Sequence, residues 1–578
     1  MVNMYLPSGL SRFGGAEASL GQDSGQDSGQ AKKSCSTGDI QDEAEGPSRR
    51  LSLPGLLSQG RYAVHLLSSS YGSLLSPRLL KRAWRPKAQA QALTPVGGVC
   101  EAPECLPSLH TEVWSWGQGQ QGQLGHGDQQ DRSQPQCIRS LSNKQVLLIS
   151  AGDQHSVALT AQCQVFSWGS NSCGQLGHMD LPSTIPRLSR LSEGIRVWDV
   201  SAGHSHTLLL ADGDCIQPIL YYSGQQVNKG PQESRGPQES RGPQERERGG
   251  PCTQQPVLLP FCMNLGYVSS VGAGGQLCAA VSSQNVAFCA ALHELASAER
   301  KFYCRLCSVK SQMVRPLLEH ESVSSALGQE AFSLLQSVSG RFSVLCHLSG
   351  QHAASLSANL RHRQEAGALL FPDHTELFVD CYLDYCSALG NFQVMGGFQT
   401  LTKPSAELFG KSPELLQRLA ECSEENPAMT DLLVALFYLP TLHLQEYSRL
   451  LFKLAAAFDQ SSAQHQRLQE SGSLCEAANL QLKQKHKQAE STLHFWRSFP
   501  GKMTDSLRKP QRRLVCESSN RALSLQNASR FSVHWFILFS DALVHAQGVA
   551  PHKNPVSNMC EVSFNPTTKE VHTKSDKI

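Results

Sequence analysis

Apolar residues recur along this chain at two different periods, and the change of period divides it. Leu292, Leu295, Phe302, Leu306, Val309, Met313 and Leu317 follow one another at helical spacing and predict one long amphipathic stripe. Glu299 is expected to project beside that stripe, as a carboxylate placed for a partner. Phe332, Leu335, Val338, Phe342, Leu345 and Leu348 predict a second helix. Leu377, Phe378, Cys381, Tyr382, Tyr385, Cys386 and Leu389 predict a third, and residues 430–453 a fourth. Strand-like segments flank the helices, at 113–117 and 165–169 before them and at 512–516 and 533–545 after them. The last of these is divided by a turn at Ser540-Asp541.

The early strands repeat. Val-Trp-Ser-Trp-Gly at 113–117 and Gly-Gln-Leu-Gly-His at 122–126 return as Val-Phe-Ser-Trp-Gly at 165–169 and Gly-Gln-Leu-Gly-His at 174–178, an offset of 52 from Trp116 to Trp168. Ser-Ala-Gly at 150–152 returns at 201–203. A period near 50 with glycine turns and a fixed aromatic predicts β-propeller blades. A third, worn unit has its aromatic strand at 220–224 and its inner strand at 271–274, interrupted by a Gly-Pro-Gln-Glu-Ser-Arg repeat within 225–255 that is expected to be a solvated insert. Three blades leave a ring open and its edges bare. Histidines at blade positions, His155, His204 and His206, are expected to be structural rather than metal ligands.

Composition narrows the function. The chain has 578 residues, enough for several domains, and its net charge of +2 from 51 basic and 49 acidic residues excludes a global field for nucleic acid. Twenty cysteines without a repeated spacing, and no apolar run of membrane-spanning length, predict a cytoplasmic protein with reduced thiols. Cys304 and Cys307 have a metal-like spacing but fall inside the first helix and lack a second pair. No phosphate-binding glycine loop, nucleophile elbow or catalytic carboxylate pair is found, so neither cofactor nor metal is expected. Residues 1–108 are poor in aromatics and predict a disordered arm, in which Ser52 follows Arg49-Arg50 and is a candidate phosphosite.

These segments carry resemblances. The blade repeats resemble the regulator-of-chromosome-condensation family. Residues 292–303, 377–386 and 439–453 resemble the three conserved regions of the Dbl-homology exchange domain, and the strands after residue 512 resemble the start of a pleckstrin-homology domain. Their order resembles the alsin family. The fold class is therefore multidomain α+β. A disordered arm (1–108) precedes a partial propeller (109–283), an elongated all-α Dbl-homology domain (284–495), an incomplete pleckstrin-homology barrel (496–547) and an unstructured tail (548–578).

The resemblance implies a guanine-nucleotide exchange factor. Glu299 would contact the first switch of a Rac- or Rho-type GTPase, and Tyr447 and Lys453 would belong to the same surface. Lys502, Arg508, Lys509, Arg512 and Arg513 would meet phosphoinositide headgroups. The chain departs from the family in its third region, where His443 and Glu446 replace an arginine pair and Phe452 replaces a lysine. The family also implies a link to endosomal Rab GTPases through an exchange domain not found in this sequence, a place on early endosomes or membrane ruffles, and self-association or a partner chain that supplies blades. A scaffold that binds GTPases or partner chains without exchange remains the alternative.

Overall fold

The computed structural model describes residues 108–213, 217–225, 252–259, 264–283, 286–362, 370–410, 413–422, 427–498, 507–517, 523–527, 530–547, 558–564 and 571–577. The expected insert lies largely outside these residues. Strands β1 (Trp114–Gly117) and β2 (Arg132–Cys137) pair as a half-blade. A full antiparallel blade follows from β3 (Val146–Ala151), β4 (His155–Thr160), β5 (Val165–Gly169) and β6 (Arg187–Leu188). A second full blade comprises β7 (Arg196–Ala202), β8 (His206–Asp212), β9 (Ile219–Gln225) and β10 (Cys252–Leu258). A last pair, β11 (Tyr267–Gly274) and β12 (Leu277–Ser283), completes the series.

The repeat in sequence is a repeat of bonds between blades. The Ala202 amide donates to Ser150 Oγ at 2.9 Å, and the Ala273 amide to Ser201 Oγ at 2.8 Å. His155 Nε2 lies 2.9 Å from Thr207 Oγ1, and His206 Nε2 lies 3.2 Å from Cys278 Sγ. Glycine is required beneath these rings, since a Cβ on Gly203 would stand 2.3 Å from the His206 imidazole. Trp168 Nε1 and Ser156 Oγ both donate to the Gln123 carbonyl of the preceding unit, at 2.7 and 2.9 Å. One repeat later, Thr207 Oγ1 and Ser223 Oγ donate to the Gln175 carbonyl at 2.7 and 3.4 Å. Trp116 holds the place of Trp168 in the first unit, yet it is 48% exposed against 1% for Trp168. Among the described residues it has no earlier blade to enter.

Helices α1 (Val286–Val309), α2 (Arg315–Glu319), α3 (Glu321–His362), α4 (Leu370–Val394), α5 (Gly397–Phe409), α6 (Pro413–Ala420), α7 (Met429–Ala455) and α8 (Ala463–Ser498) form the next layer. A π-helical turn at Lys310–Val314 joins α1 to α2 and keeps Met313 and Leu317 in line with the buried stripe. Gly328, at φ 70°, kinks α3, as a residue without a Cβ permits. Helix α8 packs along α4 and α7, and α3 along α1 and α4.

Blades and helices share one core, which runs from Trp198, Leu208 and Tyr267 to Leu292, Phe302 and Leu306. Tyr303 Oη donates to Gln145 Oε1 at 2.5 Å, and Arg361 Nη1 to the Trp198 carbonyl at 2.7 Å. The thiols of the Cys304/Cys307 spacing diverge, Cys304 toward the Gln162 carbonyl and Cys307 toward Cys346 Sγ at 3.6 Å.

A C-terminal antiparallel sheet contains β13 (Leu514–Glu517), β14 (Leu523–Asn527), β15 (Arg530–Phe539), β16 (Ala542–Gln547), β17 (Asn558–Phe564) and β18 (Val571–Lys577). Its order is β13-β15-β16-β17-β18, with β14 also on β15, and among the described residues it does not close into a barrel. Ser540 and Asp541 make the expected turn. The expectation of an unstructured tail at 548–578 is corrected, since β17 and β18 extend the sheet from β16. Polar composition hid a period-two alternation of Cys560, Val562 and Phe564. The sheet is anchored where Trp496 of α8 stacks on Phe539, ring centroids 5.2 Å apart. Among the described residues, no helix is long and apolar enough to cross a membrane.

Candidate functional site: the face of α1 and α7

Helices α1 and α7 carry the residues of the first and third conserved regions and lie against one another. The structure places their site residues on opposite sides of that contact. Glu299 is 3% exposed and belongs to the core. It lies four residues after Leu295 and three before Phe302, which puts it on the apolar stripe rather than beside it. Its carboxylate accepts from Ser349 Oγ of α3 and stands 2.8 Å from His443 Nε2 of α7, while His352 Nδ1 is 3.9 Å away. Burial would raise the carboxyl pKa, but His443 and then His352 outweigh it and hold the group well below the usual carboxylate range.

Tyr447 is also enclosed, its hydroxyl 3.0 Å from the His352 imidazole. The expectation that Glu299 and Tyr447 touch a GTPase is therefore corrected. A buried carboxylate needs partners, and Ser349, His443 and His352 supply them from two other helices. His443 in place of a family arginine fits this role, because its ring stacks on Phe302 at 3.7 Å while one nitrogen meets Glu299.

The outer side of the same two helices carries a different cluster. Lys453 pairs with Glu294 of α1, and Arg449 Nη2 reaches the same carboxylate at 3.3 Å. Glu446 lies 3.7 Å from Arg449. Burial works against the Glu294 carboxylate, but the Lys453 and Arg449 contacts prevail and lower its pKa. Lys453 is 46% exposed, so of the three expected GTPase residues it alone reaches the surface. Phe452, at the family's lysine position, points instead to α8, where a Cβ on Gly472 would come within 2.6 Å of its ring. Further along the face, Lys483 of α8 donates to Gln445 Oε1 of α7 at 3.0 Å, and the same two helices expose Leu442 and Leu480. Sequence reading passed over Glu294. Its signal was its angle, since residue 294 is 100° from Leu295 and off the stripe.

The basic run after α8 does not form one face. Arg512 is buried against Asp541, with Nε to Oδ1 at 2.7 Å and Nη2 to Oδ2 at 2.9 Å. Arg508 lies over the Trp496 ring and donates to the Trp496 carbonyl. Arg513 donates to Asn391 Oδ1 and two carbonyls. A lipid role for Arg512 is corrected accordingly, while Arg508 is half-buried. Lys509 is exposed, while Lys502 and Ser52 lie outside the described residues.

Residues 311–496 match the model of the alsin DH domain, and residues 112–159 and 164–210 match the regulator of chromosome condensation (RCC1) repeat. Alsin of Mus musculus is 49% identical over 536 residues, which is 92% of this chain and 30% of that protein. The chain is thus similar to alsin in both its blade repeats and its DH helices. It spans about 30% of the length of the curated alsins it matches. Its DH match starts within the π turn, so α1, with Glu294 and Glu299, precedes it.

Among solved structures, the DH/PH domains of p115-RhoGEF align at 11% identity and a TM-score of 0.32, over 51% of this chain and 90% of that one. Prp20p of Saccharomyces cerevisiae aligns at 25% identity and a TM-score of 0.23, over 30% of this chain and 39% of that one.

Proposed function

We propose that this chain regulates a Rho- or Rac-type small GTPase, which it binds on the outer face of α1 and α7. The observation that carries this reading is the Glu294, Lys453 and Arg449 cluster, exposed on the two helices that bear the first and third conserved regions. The alsin DH match, which includes α7, supports it. Exchange of this kind breaks no covalent bond. A factor that binds the nucleotide-free GTPase more tightly than the loaded form must weaken nucleotide affinity by the same factor. Glu294 can trade its intramolecular cations for groups of a switch segment, which frees Lys453 and Arg449 to meet acidic groups, and Leu442 and Leu480 add apolar area.

Release of a fluorescent GDP analogue from Rac- and Rho-type GTPases by the full chain tests this. Glu294→Ala is expected to lower release about tenfold, the scale of one lost charge pair. The absence of binding to any nucleotide-free GTPase of this type would overturn the reading.

A second reading, binding without exchange, is favoured by one observation: the family's arginine pair is replaced by a buried His443 and by Glu446. It predicts retention of the GTPase on the chain with unaccelerated release. A link to endosomal Rab signalling and a place on early endosomes or membrane ruffles are supported by the alsin relationship alone. Imaging of a fluorescent fusion of the full chain tests the location.

A further inference from the structure

A cavity of about 520 Å³ opens where α3, α4 and α8 meet the segment that enters the C-terminal sheet. Three cations face it, Arg341, Lys485 and Arg513, against one carboxylate, Asp384. Arg341 Nε engages that carboxylate at 2.7 Å. Lys485 Nζ donates to the Ser387 hydroxyl at 3.2 Å, a neutral partner.

Arg513 is the less usual group. Its guanidinium is partly buried and donates to Pro510 O at 2.6 Å, Arg512 O at 3.1 Å and Asn391 Oδ1 at 2.6 Å, none of them charged. A cation withdrawn from water without a counter-charge is costly, and an anion at its side offsets that cost. Burial accordingly lowers its pKa, with no carboxylate acting against it. Gly390 permits the position, since a Cβ there would stand 2.9 Å from Arg513 Nη2.

We propose that this cavity binds a small phosphorylated polyol, with its phosphate between Lys485 and Arg513 and Arg341 at the rim. The excess of two positive charges matches a phosphomonoester, which carries roughly −1.5 to −2 at neutral pH. A guanidinium beside an ammonium suits phosphate oxygens. Gln488 and Gln511 in the wall supply amides for hydroxyl groups. The volume lies within the range of small-molecule sites, about 300–1,000 Å³. The shared chemistry fits either a soluble phosphate compound or a lipid headgroup. Bound there, the ligand would tie three helices to the approach to the sheet. This site is separate from the face of α1 and α7, so GTPase binding can fail while this proposal stands.

Two probes test it on the full chain: inositol trisphosphate by calorimetry, and flotation with phosphatidylcholine vesicles with or without phosphatidylinositol bisphosphate. Lys485→Glu is expected to weaken binding at least about tenfold with an unchanged melting temperature, as for loss of one phosphate contact. Lys485→Arg retains binding, and Gly390→Ala, which displaces Arg513, weakens it. Soluble-probe binding that is lost in Lys485→Glu, with no vesicle flotation by the wild type, supports the proposal and assigns a soluble ligand. Vesicle flotation that is lost in Lys485→Glu, with or without binding of the soluble probe, supports it and assigns a headgroup. Binding of neither probe, or equal binding by wild type and Lys485→Glu, overturns it.

Discussion

Arg300 grips Asp212 at two points, Nε to Oδ2 at 2.9 Å and Nη2 to Oδ1 at 2.5 Å, with both side chains almost fully buried. The pair joins the end of β8 to the middle of α1. Asp212 also faces His293 at 3.6 Å and Arg196 at 3.7 Å, while Arg300 lies over the Trp198 ring. Breaking one side strands the other charge, so Arg300→Ala is expected to cost about 3–5 kcal/mol. Asp212→Ala is expected to cost at least as much, because three cationic or titratable groups converge on it. Replacing both by apolar residues recovers most of the loss. Urea unfolding midpoints of the two single variants and the double variant measure this.

Glu299 and Glu294 separate structure from binding. Glu299→Ala leaves His443 and Ser349 without their buried acceptor and is expected to lower stability by about 2–4 kcal/mol. Glu294→Ala, at a half-exposed position, is expected to change stability by no more than about 0.5 kcal/mol while it weakens GTPase binding. Thermal melts run beside the release assay give both quantities.

Acid is expected to loosen the blades and their helix contact. Burial, with His206 adding to it, takes His155 down to about 4; burial, with Arg300 adding to it, takes His293 down to about 4. Both imidazoles are neutral in the folded state and charge more readily once unfolded, near 6.5. Their contribution is full above about pH 6.5 and is lost as pH falls toward 4, on the order of 3 kcal/mol for each. Hydrogen exchange of β4, β8 and α1 at pH 7 and pH 5 tests this, with faster exchange expected at the lower value.

Trp168 and Trp116 are equivalent in the repeat and unequal in energy. Trp168→Ala removes a buried ring and its bond to Gln123, an expected loss of about 3–5 kcal/mol. Trp116→Ala removes a half-exposed ring and is expected to change stability by less than about 1 kcal/mol. Differential melting of the two variants decides between equal and unequal roles.

The sequence showed periods well and angles poorly. Blade repeats, the long helices and the Ser540-Asp541 turn were legible because each rests on a local pattern. The side to which a charged residue points was harder, because it depends on which neighbours a helix acquires. Glu299 was read as exposed because it is charged, although its place between Leu295 and Phe302 put it in the stripe. Arg512 looked like part of a basic face, but Asp541, 29 positions later, neutralises it. The strands after residue 557 were missed because average polarity concealed their alternation.

Helix α1 turns one side to the blades and another to α3 and α7, and this bears on how the chain is divided at the bench. Resemblance draws a border near residue 284, whereas solvent draws none there. A fragment begun at that point would present His293, Arg300, Tyr303 and Cys304 to water, and silence from such a fragment in an exchange assay would report a damaged surface rather than an inactive protein.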